Sequence, residues 1–441
     1  MKIGFLALSG IRAHDPELLE RGLTLPGFVE RSKQVAALPS LGLLYLAACT
    51  PEGHELAYFE APSGEEVPAE VFDCDLVAIS TFSAQVFEAY AIADRLRRVG
   101  VRVAMGGLHV SVLPEEARAH ADWVVIGEGE NVWPDVVQRV ERGESGAILN
   151  ADDYPAVDAC ALPVPRYDLL RGREYNRFTV QTTRGCPYRC EFCASNVMLG
   201  KPYRKRPVEH VVRDIRAIQA EFPNAFIEFA DDNTFVDKEW GRELLDAITP
   251  LRIKWFTETD VSIADDDELL ARLAPSGCRQ LLIGLEATEP RYLEGMESKS
   301  DFKARRGPGY EAAVKKIQAA GVTVNGCFVL GLDGQTLESF QDVLDFAERT
   351  SLFEVQVTLQ TAFPGTPLYE RFVAEGRILE PERWDLCTLF DVNFQPTDMT
   401  VSQLRAGIVR LSEELYSADA LERRRAPFFE NHRRRLREKA S

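Results

Sequence analysis

The chain repeats one alternation along most of its length, a short apolar run followed by an amphipathic helical pattern. That order is the pattern of parallel strands joined by crossover helices, so the fold class is α/β. In the first part, strands are expected at Lys2–Leu8, Glu55–Ala61, Leu76–Thr81, Arg102–Gly107 and Trp123–Glu128. Between the third and fourth, Val86, Tyr90, Ala93 and Leu96 recur at helical spacing, Asp94, Arg95, Arg97 and Arg98 form a polar face, and Gly100 stops the helix. Five strands with helices on both faces predict a doubly wound, flavodoxin/Rossmann-like parallel sheet over residues 1–150. Such sheets bind ligands beyond the carboxyl ends of their strands. A linker over 151–177, containing Pro155, Pro163 and Pro165, leads into a second alternation over 178–370. Its strands are expected at Phe178–Thr183, Ala225–Ala230, Arg252–Glu258, Gln280–Leu285, Thr323–Leu330 and Glu354–Gln360. Its helices are expected at Pro207–Glu221, Glu239–Ile248, Asp267–Leu273, Tyr310–Ala320 and Leu337–Glu348. Pro207 suits a first helical turn, and Asp265, Asp266, Asp267 and Glu268 suit the start of the helix they precede. Residues 371–441 read as a helical extension whose arginines, Arg423–Arg425 and Arg433–Arg435, suit a solvated face or tail, or an anionic partner.

One loop in the second unit carries the chemistry. Cys186, Cys190 and Cys193 follow the strand-like run Phe178–Thr183 at spacings of C-x3-C-x2-C. A structural zinc site would want four closed ligands, yet the chain has no second C-x-x-C, and neither Cys160 nor His210 stands at zinc-type spacing. A [4Fe-4S] cluster has four irons that take thiolate ligands. Three cysteines leave one iron open to a small molecule. The other six, Cys49, Cys74, Cys160, Cys278, Cys327 and Cys387, are scattered and mostly flanked by apolar residues, which suits small core side chains and supports no second cluster.

This loop resembles that of the radical S-adenosylmethionine (SAM) superfamily, and the six strand–helix repeats then imply its partial (β/α)6 TIM barrel, with chemistry at the carboxyl ends of the strands. The resemblance implies that Cys186, Cys190 and Cys193 hold the cluster, that SAM chelates the open iron, and that Phe192 lies near the adenine. Asp231-Asp232-Asn233 corresponds to the segment that hydrogen-bonds the methionyl amino group. Glu258 and Glu286 end strands whose relatives contact SAM hydroxyls, and Val329 and Gly331 lie in the segment set against adenine. No residue is assigned as a catalytic acid, base or radical quencher. Phe363–Tyr369 resembles the segment that closes the barrel's side.

The first unit resembles the cobalamin-binding domain found ahead of the radical domain in one branch of that superfamily. The resemblance rests on Pro39–Ala47, Ser80–Ser83, Gly106–His109 and Gly127–Glu130. It implies contacts to cobalamin from Ser9, Leu41, Ser80, Thr81, Ser83, Gly106, Gly107, His109, Gly127, Glu128 and Gly129. No histidine stands in an Asp-x-His-x-x-Gly context, and for His109 a loop hydrogen bond is the simpler expectation than a cobalt bond. A domain that keeps this fold without the cofactor is the alternative.

Together the two resemblances imply a cobalamin-dependent radical SAM enzyme that methylates an unactivated carbon of a small-molecule intermediate, fed by an external electron donor of flavodoxin or ferredoxin type. A rearrangement, cyclisation or oxidation on the same two domains is the second reading, and a non-catalytic corrinoid or metal-binding module the third. A net charge of −18 argues against nucleic acid as a partner. No stretch approaches the roughly 20 apolar residues of a membrane span. The apolar start, Met1–Gly10, is too short for a signal-peptide core and reads as a strand, so a cytoplasmic location is expected.

Overall fold

Two parallel sheets of six strands each set out the molecule in the computed structural model, which describes residues 1–10, 12–22, 38–195, 202–297 and 299–440. The first contains β1 (Lys2–Leu8), β2 (Glu55–Ala61), β3 (Leu76–Ser80), β4 (Arg102–Gly106), β5 (Trp123–Ile126) and β6 (Ile148–Asn150), in the order β2-β1-β3-β4-β5-β6. β1 is an interior strand: Phe5 pairs with Tyr58 on one side and Ala78 on the other. Ile3, Phe5 and Leu6 are fully buried, as a strand covered on both faces requires. The expected doubly wound sheet is therefore present with one strand more than expected. β6 has three residues, too few for any periodicity to announce it. Three expected strands also end early. Thr81, Gly107, Gly127 and Glu128 leave the ladder and form the loops along its carboxyl edge. Gly107 takes φ 107°, where a Cβ would stand 2.9 Å from the Thr81 carbonyl oxygen.

The second sheet contains β7 (Phe178–Val180), β10 (Phe226–Phe229), β11 (Lys254–Thr259), β12 (Cys278–Glu286), β13 (Thr323–Leu330) and β14 (Glu354–Leu359), in the order β14-β13-β12-β11-β10-β7. The expected strand Phe178–Thr183 is broken. After Val180 the chain leaves the sheet, and β8 (Thr183–Arg184) pairs antiparallel with β9 (Arg204–Lys205). The break has a local cause: Asp231 accepts the backbone N–H groups of Thr182 and Thr183, both at 2.8 Å, and draws that backbone away from the ladder. Helices over Val208–Glu221, Lys238–Ile248, Asp267–Leu273, Tyr310–Ala319 and Glu338–Thr350 cover one face, burying Ile215, Leu244, Leu269, Val314 and Phe346. Pro207 stands one residue before its helix rather than in its first turn. Asp266 caps the next expected start, its carboxylate accepting the Leu269 N–H at 2.8 Å.

The segment between the sheets is not a loose tether. Tyr167 and Leu170 are buried, and the Tyr167 hydroxyl donates to the Thr179 carbonyl at 2.9 Å. Of the C-terminal helices, Pro367–Ala374, Val401–Leu415 and Ala418–Ala440, the second packs against β14 and starts with a Thr400/Gln403 capping box, and the third packs on the helices over Tyr310–Ala319 and Glu338–Thr350. The expectation of a solvated basic run fails at Arg424, which is 1% exposed and donates to the carbonyls of Leu352 and Leu415 at 3.2 and 2.8 Å. Arg423 and Arg425 pair with Glu348 and Glu354. Among the scattered cysteines Cys74, Cys278 and Cys387 are buried, whereas Cys160 is exposed. No described helix is long and apolar enough to cross a membrane.

Candidate active site

The cysteine loop follows β8 at the carboxyl end of the second sheet, and three carboxylates hold its backbone. Asp231 has both oxygens engaged: Oδ1 accepts the Thr182 and Thr183 N–H groups, and Oδ2 accepts the hydroxyls of Thr182 and, at 2.8 Å, Thr234. Burial raises its pKa to about 6 against these donors. With four donors on four lone-pair positions, Asp231 anchors the root of the loop and has no acceptor left for a methionyl amino group. Asp232 accepts from the Ser195 hydroxyl and the Gly185 N–H, with burial pushing its pKa up. The Ser195 hydroxyl also lies 2.9 Å from the Cys193 sulfur. On the far side, Glu297 forms an isolated bridge with Cys190 and accepts the N–H groups of Arg189, Lys299 and Ser300 at 3.1, 2.9 and 2.7 Å. Burial opposes its charge, yet these donors and the Ser300 hydroxyl hold its pKa down to about 2.

Side chains brace the same loop. Glu191 pairs with Arg371 at 2.7 Å, and Arg371 reaches Asp333 at 2.7 Å. Tyr188 stacks on Phe302 with ring centroids 4.4 Å apart. Phe192 is half-buried against the core. Glu286, at φ 64° beyond a bulge in β12, takes the Lys303 ammonium at 2.6 Å. Burial opposes the charge on Lys303, Glu286 outweighs it, and the ammonium stays charged beside Cys190. Asn233 donates to Asp260 at 2.7 Å and accepts from the Thr259 hydroxyl at 3.1 Å. Glu258 is exposed near the end of β11, and Val329 is buried near the end of β13. Gly331 is shaped by packing instead: at φ 88°, a Cβ there would come within 2.7 Å of the Phe394 ring.

These donors fit a multi-iron cluster. Burial raises Cys186 to about 11 and Cys190 to about 12, and the charge of Cys193 adds to both, so the three thiols lie within electrostatic reach of one another. Among the described residues no three His, Cys, Asp or Glu side chains stand close enough to grip a single ion. Three thiols in one loop suit a cluster in which each thiolate meets its own iron.

A cavity of about 230 Å³ lies at the carboxyl edge of the first sheet. Ser80, Gly106, Gly107, Gly127, Glu128 and Gly129 line it, with Leu43, Leu46, Val125 and Trp133 as apolar wall. Its size and its glycine backbone fit a flat heterocycle such as the benzimidazole tail of cobalamin; the corrin ring is too large for it. The other residues expected at cobalamin do not line this cavity. The Ser9 N–H is tied to Ala61, and the Thr81 hydroxyl binds the Phe82 carbonyl. Gly42 and Leu43, not Leu41, face the cavity. Ser83 hydrogen-bonds His109 Nδ1 at 3.0 Å, while His109 Nε2 lies 3.2 Å from Glu116, so both ring nitrogens are taken. Burial lowers the pKa of this imidazole.

Sequence reasoning missed Gln181 and Arg184, which line the cavity from the second sheet's side, and Glu297, Lys303 and Arg371, which hold the cysteine loop. Glu297 and Arg371 bond residues 108 and 180 positions away, and no local periodicity records such partners.

Comparison with known proteins gives three family matches: the radical SAM superfamily over residues 180–347, the B12 binding domain over 33–137, and a domain of unknown function, DUF4070, over 366–441. Bacteriochlorophyllide d C-12(1)-methyltransferase of Chlorobaculum tepidum is 26% identical, over 87% of this chain and 84% of its own. Hopanoid C-2 methylase of Rhodopseudomonas palustris is 25% identical, over 79% of this chain and 66% of its own. The radical S-adenosylmethionine methyltransferase TsrM from Kitasatospora setae, solved with tryptophan substrate and a SAM analogue, superposes with a TM-score of 0.61. It is 17% identical over 85% of this chain and 76% of that one, a likeness of fold. The two domain matches bring with them SAM with its [4Fe-4S] cluster, and cobalamin. The chain therefore carries a radical SAM domain with a B12 binding domain ahead of it.

Proposed function

We propose that this chain is a cobalamin-dependent methyltransferase acting on an unactivated carbon of a small-molecule biosynthetic intermediate. The observation that carries the reading is the meeting of two sites: the glycine-lined cavity of the first sheet is closed by Gln181 and Arg184, and Arg184 stands two residues before Cys186. When bound, the cluster with SAM supplies hydrogen-atom abstraction, and cobalamin supplies the methyl group. Named methyltransferases among the relatives support that pairing.

The chain's own residues bind and orient. Cys186, Cys190 and Cys193 would hold the cluster, with Asp231, Asp232 and Glu297 fixing the loop that presents them. Asn233, Glu258 and Glu286 stand near the strand ends as the polar shell for SAM, with Lys303 paired to Glu286 at 2.6 Å. Gly107 and Gly127 let a ligand approach the backbone of the first sheet closely. A small acidic electron carrier of flavodoxin or ferredoxin type would supply the electron that starts each turnover. The cytoplasm is the compartment that suits reduced thiols and such a carrier.

Metal analysis of protein prepared anaerobically with hydroxocobalamin, followed by assay with methyl-labelled SAM, tests the reading. About four irons and one cobalt per chain are expected from one cluster and one corrinoid, with label in the product. Iron without cobalt, or 5'-deoxyadenosine without labelled product, would overturn methylation in favour of another radical outcome.

A further inference from the structure

Between the two sheets lies a closed group of charges that neither domain contains alone. Arg184, 9% exposed, donates from Nη1 to Glu128 at 3.1 Å, from Nη2 to Glu130 at 2.7 Å, and from Nε and Nη2 to Gln181 at 3.1 and 2.8 Å. Arg204, its partner across the β8–β9 ribbon, grips the same Glu128 with both terminal nitrogens, Nη1 at 3.1 Å from Oε2, and also reaches the Val157 carbonyl at 3.2 Å. Glu128 is 6% and Glu130 8% exposed. Two cations and two anions are thus matched, with Arg184, Glu128 and Glu130 buried and Arg204 half-buried, and removing one member strands the charge of another. Burial opposes the charge on Glu128, but the two guanidinium groups hold its pKa below the usual carboxylate range.

The position of this group matters as much as its strength. Glu128, Glu130, Gln181 and Arg184 all line the cavity of the first sheet. Arg184 is also joined through one residue, Gly185, to Cys186, and the Gly185 N–H is held by Asp232. A planar guanidinium with donors in fixed directions transmits orientation, which a flexible ammonium would not.

We propose that Arg184 is a positioning residue that couples the two cofactor sites: through its fork onto Glu128 and Glu130 it sets the cavity loop of the B12 binding domain against the root of the cysteine loop. Filling either site then orders the other. The inference rests on the reading that the cavity takes the cobalamin tail. It goes further in stating that the cavity is completed by the radical domain.

Coupling of this kind is reciprocal and readable without turnover. Hydroxocobalamin is titrated into the full chain by absorbance, once with the cluster reconstituted and once without iron, and the ratio of the two dissociation constants is compared. In the unaltered chain the cluster should tighten hydroxocobalamin by about tenfold, within the range ordinary for coupled sites. Arg184→Gln should bring the ratio to about one. Arg184→Lys, which keeps the charge and loses the fork, should leave it well below that of the unaltered chain. Should Arg184→Gln fail to fold, Glu130→Gln reads the same ratio from the other side. A ratio near one in the unaltered chain, or one that Arg184→Gln and Glu130→Gln leave unchanged, overturns the coupling. No binding of hydroxocobalamin under either condition overturns the cobalamin reading instead.

Discussion

Asp231 shows how one residue's role depends on its neighbours in space. Its place after a strand and ahead of Asp232-Asn233 suited contact with SAM, but Thr182, Thr183 and Thr234 fill its acceptor sites first. The carboxylate is buried among four donors, so replacing one oxygen by an amide removes the charge and an acceptor and forces both threonine hydroxyls to reorient. Asp231→Asn should lower stability by about 2–3 kcal/mol, the scale of a buried hydrogen bond to a charged group. Iron retained after anaerobic reconstitution should fall below half that of the unaltered chain. Urea denaturation and iron analysis check the two effects, and full iron retention would remove Asp231 from the support of the cysteine loop. Asp232 was legible as polar and near the site, but its link to Ser195 and Gly185 depends on a loop that turns back on itself.

At the scale of elements, the strand pattern was readable where a strand is buried on both faces and long. β1 and β13, buried along almost their whole length, match expectation at both ends, and so does the edge strand β2, whose Leu56–Phe59 run is apolar. Ends that bind or turn were less readable. The residues Thr81, Gly107 and Glu128 continue the sequence pattern of their strands yet leave the sheet, and β7 stops at Val180 because Asp231 competes for the next backbone donors. Gly107 marks the place where the edge must bend. Its φ of 107° and the nearby Thr81 carbonyl exclude a side chain. Gly107→Ala should destabilise the chain by about 2 kcal/mol from backbone strain, and should weaken hydroxocobalamin binding severalfold. Unchanged thermal stability and unchanged titration would show that the carboxyl edge tolerates the side chain.

At the scale of the whole molecule, the two sheets are joined by buried charge rather than by apolar contact alone. Arg206, 1% exposed, pairs with Asp214 at 2.7 Å and donates to the Tyr45 hydroxyl and the Gln181 carbonyl, both at 2.9 Å, so one guanidinium ties the first helix of the N-terminal sheet to the radical domain. Arg206→Met should cost about 3 kcal/mol, the usual consequence of stranding a buried partner. It should also turn one cooperative urea transition into two. Two transitions already present in the unaltered chain would refute the tie. The sequence by itself determined the α/β class, the division into a doubly wound sheet and a six-stranded second sheet, and the cysteine triad. Each of those is written in local periodicity or in close spacing. Only the tertiary structure decided which carboxylates hold the cysteine loop, that Arg184 meets Glu128, and that His109 is consumed by Ser83 and Glu116. The physical reason is that hydrogen-bond capacity is finite, and which partner fills it depends on residues brought together from distant parts of the chain.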